Sequence, residues 1–192
     1  MLYVMSSTTK RSRQPEAVRK NLLDATSQVL IERGFEGMSL DMIVQRAGVS
    51  KGALFHHYPN KQGLVEALMW QLLHEFDSQV AHFMERDKEP RGRFLRAYIK
   101  TTLASHDSTE TSKLLGAFAL AMTHNAPLAD VWQNWVHEQM VKHKEEFRTT
   151  AGSIIRYAID GIWMEDCTGA TVVSRKQRKT IVDELIQRTY DL

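Results

Sequence analysis

Ala47-Gly-Val-Ser-Lys-Gly-Ala-Leu-Phe-His-His-Tyr-Pro-Asn-Lys61 reads as the end of one helix, a glycine turn, and a second short helix stopped by a proline. Gly48 lets the backbone turn with a positive φ. Ser50 suits an N-cap, because its side-chain oxygen can accept from the N–H groups of the following turn. Pro59 cannot continue the helix. Val49 and Leu54 point inward and set the crossing of the two helices, while Lys51, Gly52, Phe55, His56 and, past the end, Lys61 face outward. Two helices joined by a short glycine turn form a helix-turn-helix. A second helix of this kind can enter the major groove of DNA with its N-terminal residues near base edges. Ser50 and the free N–H groups of that helix suit a phosphate.

Upstream, the pattern predicts a helix from about Pro15 to Arg33. Pro15 and Glu16 suit a first turn, and Val18, Leu22, Ala25 and Val29 recur on one face. Gly34 is placed to end this helix, and Phe35 to pack back onto it. Ser39 caps the next helix, whose stripe is Leu40, Ile43, Val44 and Ala47. Residues 1–14 read as a flexible basic arm ending in Lys10, Arg11 and Arg13, either solvated or laid against phosphate.

Downstream, Asn60 caps a long helix carrying Leu64, Leu68, Leu72, Phe76, Val80 and Phe83. Further helices are expected over about 91–105, after Asp107-Ser-Thr-Glu110, after Asn125-Ala-Pro127, from Ile154 to about Glu165, and after Ser174. The expectation is an all-α fold of about nine helices. A three-helix DNA-binding domain at 15–61 is joined, by a linker helix from about residue 60, to a helical domain at 62–192. With 43% hydrophobic and 25% charged residues, the composition is that of an ordinary globule. Only four prolines and ten glycines interrupt the 192 residues, which argues against a strand-rich fold with many tight turns.

The net charge is only +2, yet residues 1–61 hold nine Lys/Arg against five Asp/Glu, a basic end on a nearly neutral body. The one cysteine, Cys167, excludes an intramolecular disulfide and a Cys-rich zinc site. No apolar run is long enough for a membrane span and no signal-peptide pattern is visible, so no membrane partner and a cytoplasmic location are expected.

The Ala47–Lys61 segment closely resembles the N-terminal domain of the tetracycline-repressor (TetR) family, whose pattern reads roughly Ala-Gly-Val-Ser-x-Gly-Thr-Leu-Tyr-x-His-Phe-x-x-Lys and then Leu. Ala47, Gly48, Val49, Ser50, Gly52, Leu54, His57, Lys61 and Leu64 match, and the resemblance extends over about residues 16–70. It implies a homodimeric transcriptional repressor that binds a palindromic double-stranded operator and is released by a small, lipophilic effector. It places Lys51, Gly52 and Phe55 at bases, and Ser39, Ala53, His56, His57 and Lys61 at phosphates. Two residues depart from the pattern. Ala53 replaces threonine and loses a hydroxyl–phosphate bond. Phe55 replaces tyrosine and can touch only apolar groups such as a thymine methyl. Lys51 suits either a guanine or a phosphate.

The resemblance also implies that the last two helices pair with their twins in a four-helix bundle. Ile154 to Trp163 is apolar on more than one face, as a doubly covered helix requires. Ile155, Ile159, Ile162, Ile181 and Leu185 are the expected interface residues. An effector pocket is implied between the middle helices, with Trp70, Phe76, Phe118, Met122, Trp132, Trp135 and Trp163 as lining. The same residues at the same spacing also suit a plain core. Glu138, Asp160, Glu165 and Asp166 lie near these aromatics in sequence and would suit a cationic ligand. A helical ligand-binding protein or an activator with this fold is the alternative reading.

No catalytic residue, metal site or cofactor is expected. The histidines lack ligand or triad spacing, and adjacent His56 and His57 point about 100° apart on a helix. No glycine-rich phosphate loop follows a strand.

Overall fold

A computed structural model of the protein describes residues 8–104, 109–169 and 172–192, with 8–14 and 109 described in backbone only. The expected cap at Asp107-Ser108 and the first seven residues of the arm lie outside the described residues. Ten α-helices and a terminal 3-10 turn form the described chain, with no strand among these residues. They fall into two compact units, Met1–Met69 and Trp70–Leu192.

The first unit holds α1 (Thr8–Gly37), α2 (Leu40–Ala47), α3 (Lys51–His57) and the start of α4 (Lys61–Arg86). Helix α1 begins at Thr8 rather than Pro15, so the second half of the expected flexible arm is helical. Lys, Arg and Gln in this stretch are good helix formers, and Pro15 removes only one backbone bond. Gly34 leaves the helical region at φ 67° and ψ 174°, which breaks α1 where expected. Leu22, Ala25, Val29, Ile43 and Leu54 are buried. Arg46 on α2 donates through both Nη atoms to the Glu32 carboxylate on α1, at 2.7 and 2.8 Å.

The turn between α2 and α3 has the chemistry its sequence requires. Ser39 Oγ accepts from Met42 N at 3.3 Å, and Ser50 Oγ accepts from Ala53 N at 3.1 Å. Gly48 sits at φ 65° and ψ 31°, its N–H closing the end of α2. A side chain there would cost about 1–2 kcal/mol. Asn60 Oδ1 then accepts from Gly63 N at 2.8 Å and opens α4. The first turns of α4 belong to the first unit, where Leu64, Val65, Leu68 and Met69 are buried.

The second unit holds the rest of α4, then α5 (Arg93–Ala104), α6 (Thr109–Met122), α7 (Ala126–Lys142), α8 (Lys144–Phe147), α9 (Thr150–Thr168) and α10 (Arg175–Arg188). Helix α9 packs on α5, α6, α8 and α10. Asn125, Thr149 and Ser174 cap α7, α9 and α10 through their side-chain oxygens. The one-turn α8 was not expected from periodicity, because four residues are too short to show any. Its Glu146 carboxylate accepts from the Phe94 and Leu95 N–H groups, both at 2.9 Å. An acid on α8 thereby caps α5 across fifty residues of chain.

Candidate nucleic-acid interface and internal cavity

In the first unit, α3 presents Lys51, Gly52, Phe55 and His56 to solvent, with Phe55 52% exposed. Leu54 and Tyr58 anchor the helix from below. An aromatic ring this open costs hydration free energy that the chain itself does not recover. Lys51 Nζ pairs with Asp41 Oδ1 on α2 at 2.6 Å, but both side chains are more than half exposed. Such a pair is worth at most about 1 kcal/mol and yields readily to a phosphate or a base. Ser39 and Ser50, both exposed, accept at their caps and keep a hydroxyl hydrogen to donate. His56 and His57 lie edge to face at 5.3 Å, and His57 and Ala53 are half-buried. No group of three metal-ligating side chains occurs among the described residues.

Lys61 stands differently from the rest. Its ammonium lies 4.4 Å from the centre of the Phe35 ring and donates to Phe35 O at 2.9 Å and Met38 O at 3.5 Å. It therefore ties α4 to the end of α1, a role that sequence spacing did not reveal. Lys61→Met is expected to lower the stability of the protein by about 1–2 kcal/mol, since charge-assisted bonds to carbonyls are lost. Chemical denaturation followed by circular dichroism would measure this. An unchanged midpoint would show that the tie contributes nothing.

The second unit contains a cavity of about 100 Å³ lined from α4, α5, α6, α7 and α9. Phe76, Trp132, Trp135 and Trp163 line it as expected, joined by Leu72, Leu73, Glu75, Gln79, Tyr98, Thr102, Thr111 and Leu115. Trp132 and Trp163 stack at 5.8 Å, nearly parallel, and Phe76 meets Trp135 and Tyr98 edge-on at 5.6 and 5.5 Å. Three of the expected lining residues stand elsewhere. Trp70 packs against His74, about 120° round α4 from Phe76. Phe118 is buried core, and Met122 lies two turns along α6 from Leu115. Periodicity marks an apolar residue but not which neighbour covers it.

The acids also differ from expectation. Glu138 is exposed, and Asp166 is bound by Arg178. None of Glu138, Asp160, Glu165 and Asp166 lines this cavity; Glu75 does. Asp160 lines a smaller cleft behind Tyr98, where it accepts from Tyr98 Oη at 2.7 Å and pairs with Arg156 at 2.7 Å. Burial and the Asp160 charge push the Tyr98 phenol well above its ordinary value, so it remains a donor. Asp77 accepts from Trp135 Nε1 at 3.1 and 3.2 Å and from Gln139 Nε2 at 3.3 Å. Burial raises the pKa of Asp77 and of Asp160, against the lowering effect of their donors.

Two family models match the chain: "Bacterial regulatory proteins, tetR family" over residues 22–68, and "Tetracyclin repressor-like, C-terminal domain" over residues 92–190. The chain belongs to the TetR family of transcriptional regulators. It is 32% identical over 135 residues to the HTH-type transcriptional regulator BetI of Burkholderia lata, a match covering 70% of this chain and 63% of that one. It is 26% identical over 189 residues to BetI of Proteus mirabilis, covering 92% and 94%. A TetR-family regulator from Streptomyces coelicolor shares the fold with a TM-score of 0.69 at 18% identity, covering 97% and 94% of the two chains. In this TetR-family chain the helix-turn-helix is the DNA-binding element, and no helix among the described residues is long and apolar enough to cross a membrane.

The expected pairing residues need correction within this fold. Ile155 and Ile159 are buried inside the single chain, at 1% and 0% exposure, and Leu185 is buried too. They belong to the unit's own core and cannot form a surface between chains. Ile162 is half-buried, and Ile181 remains exposed. The open apolar face of α9 is instead Ile154, Tyr157 and Met164, spaced around Gly161 on one side of the helix. An apolar run had located the helix, but only packing decides which of its two apolar faces is covered.

Proposed function

We propose that this regulator is a ligand-responsive repressor acting as a homodimer on a palindromic operator. The observation that carries the reading is an exposed, aromatic-bearing α3 in the first unit of a chain whose second unit encloses an aromatic-walled cavity. Lys51, Gly52 and Phe55 face base edges, with Phe55 against a thymine methyl. Ser39, Ser50, Ala53, His56 and His57 lie along phosphates, and Lys61, whose ammonium already donates to two carbonyls, has a third N–H for one. Residues 15–61 form the DNA-binding domain, with any described part of 1–14 running into it, and 62–192 form the effector-binding and pairing domain.

The pairing surface is the open face of α9 together with Ile181 on α10, repeated by two-fold symmetry. Two recognition helices held one helical turn of DNA apart then read the two halves of a palindrome. Helix α4 runs unbroken through both units, so an effector in the cavity beside Phe76 can favour one setting of that helix over another. The effector acts only through its different affinity for the two states. A shift from about 1:99 to 99:1 needs about 10⁴-fold preference. The cytoplasm is the site of action.

The test is a mobility shift with DNA from just upstream of the gene, at stated salt and with competitor DNA. Tight, competitor-resistant binding that weakens as salt rises is the expected result. If neither this DNA nor any sequence recovered from a random pool binds better than competitor, the repressor reading falls.

A further inference from the structure

We propose that the cavity takes a small lipophilic cation, an alkyl- or arylammonium ion. The proposal rests on the reading above that the cavity is the effector site. Three observations converge on it.

The first is charge. Among the twelve described residues lining the cavity there is no lysine, arginine or histidine, and one carboxylate, Glu75, which is exposed and stands at the rim. An organic anion entering here would lose its water and find nothing positive to replace it. A cation would meet the opposite charge at the entrance.

The second is the walls. Five of the lining residues are aromatic: Phe76, Tyr98, Trp132, Trp135 and Trp163. Ring faces carry the negative end of a quadrupole, and indole is the strongest of these partners for a cation.

The third concerns what stands behind the walls. Trp135 donates its ring N–H to the Asp77 carboxylate, and Tyr98 donates its hydroxyl to the Asp160 carboxylate. A buried N–H or O–H needs an acceptor, but a backbone carbonyl would serve for packing alone. A carboxylate in that position does more. It pushes electron density into the ring through the hydrogen bond and adds negative potential behind it. Burial raises the pKa of both acids, which is the cost of holding a carboxylate behind the ring. Arg156 offsets part of the Asp160 charge, Lys142 and His74 act on that of Asp77, and Glu75 accepts from Gln71. A cation in the cavity meets this negative potential through the Trp135 and Tyr98 rings.

Three probes of similar size separate the possibilities: trimethylphenylammonium, its uncharged isostere tert-butylbenzene, and benzoate. Binding to the full chain is read by tryptophan fluorescence, since three of the four tryptophans line the cavity. The ammonium ion is expected to bind about tenfold more tightly than tert-butylbenzene, with benzoate weakest. Glu75→Gln, at an exposed position, should leave folding intact and weaken the cation by about threefold while sparing the neutral probe. Leu115→Trp should fill the cavity and abolish binding of both.

Equal or tighter binding of tert-butylbenzene, or preference for benzoate, overturns the cation proposal and leaves the cavity standing as the effector site. Cation binding that survives both Glu75→Gln and Leu115→Trp places the ion elsewhere and overturns it as well. If no probe binds, the proposal and the effector-site reading fall together.

Discussion

Replacing Lys51 and Phe55 together by alanine is expected to weaken operator binding by about 100-fold or more, with no loss of folded structure. Each contact to a base edge is worth about 1–3 kcal/mol, and the two act at separate positions of one helix. Both side chains are more than half exposed in the free protein, so their removal takes nothing from the core. Asp41 loses a partner, but it is itself exposed and remains hydrated. The variant's thermal midpoint should therefore match the parent's, and ligand binding in the second unit should be unchanged. Fluorescence anisotropy with labelled operator at fixed salt measures the loss. The single variants divide the effect. Phe55→Ala should relax discrimination at one base pair, whereas Lys51→Ala, if it contacts phosphate, should lower the salt slope by about one. A double variant that binds operator within a few-fold of the parent would show that α3 is not the reading helix.

The second large effect is expected deep inside the second unit. Arg96 is fully buried, yet carries a guanidinium. Its Nε donates to Asp87 Oδ2 at 2.7 Å, its Nη1 to Arg91 O at 2.7 Å and Thr189 Oγ1 at 3.0 Å, and its Nη2 to Glu89 O at 2.7 Å. The ring of Tyr190 covers it at 4.2 Å. One side chain thus binds the 87–91 loop, which precedes α5, to the end of the chain. The same junction is closed at Gly92, where a Cβ would lie 2.0 Å from Thr189 O on a backbone already at φ 64°.

Arg96→Met keeps the volume but leaves the Asp87 charge and three acceptors without their donor. Removing one partner of a buried ion pair costs about 3–5 kcal/mol, a large part of the stability of an ordinary domain. All four tryptophans, Trp70, Trp132, Trp135 and Trp163, belong to the second unit, so denaturation followed by their fluorescence reports on it directly. Adding Asp87→Asn should recover part of the loss, because the unpaired charge is then gone. The Arg96 guanidinium holds the Asp87 carboxyl below its ordinary pKa of 3.8. The pair therefore stabilises above that pH and is lost as pH falls through the lower folded value, where the difference between parent and variant should narrow to what the three neutral acceptors contribute. A loss below about 1 kcal/mol at neutral pH would show that the network is not holding the junction.

Local sequence determined the longer helices, though not the start of α1 or the one-turn α8, and the turn between α2 and α3. Ser39, Gly48, Ser50 and Asn60 act within three or four residues of themselves, through caps and a positive φ, so their meaning survives without knowledge of the fold. The outward set Lys51, Gly52, Phe55 and His56 was legible for the same reason: a short helix with Leu54 inward has only one face left. Tertiary structure decided everything that depends on a partner far along the chain. Tyr98 finds Asp160 and Trp135 finds Asp77 across about sixty residues, and Arg96 reaches Thr189 across more than ninety. Ile155 and Ile159 went inward while Ile154 and Tyr157 stayed open, although all four are large and hydrophobic and lie within six residues of α9. Lys61 turned to carbonyls of the first unit instead of standing free. Periodicity records that a face is apolar or a side chain charged. Which surface meets it is settled only when the helices pack, because burial and hydrogen bonding are properties of the pair.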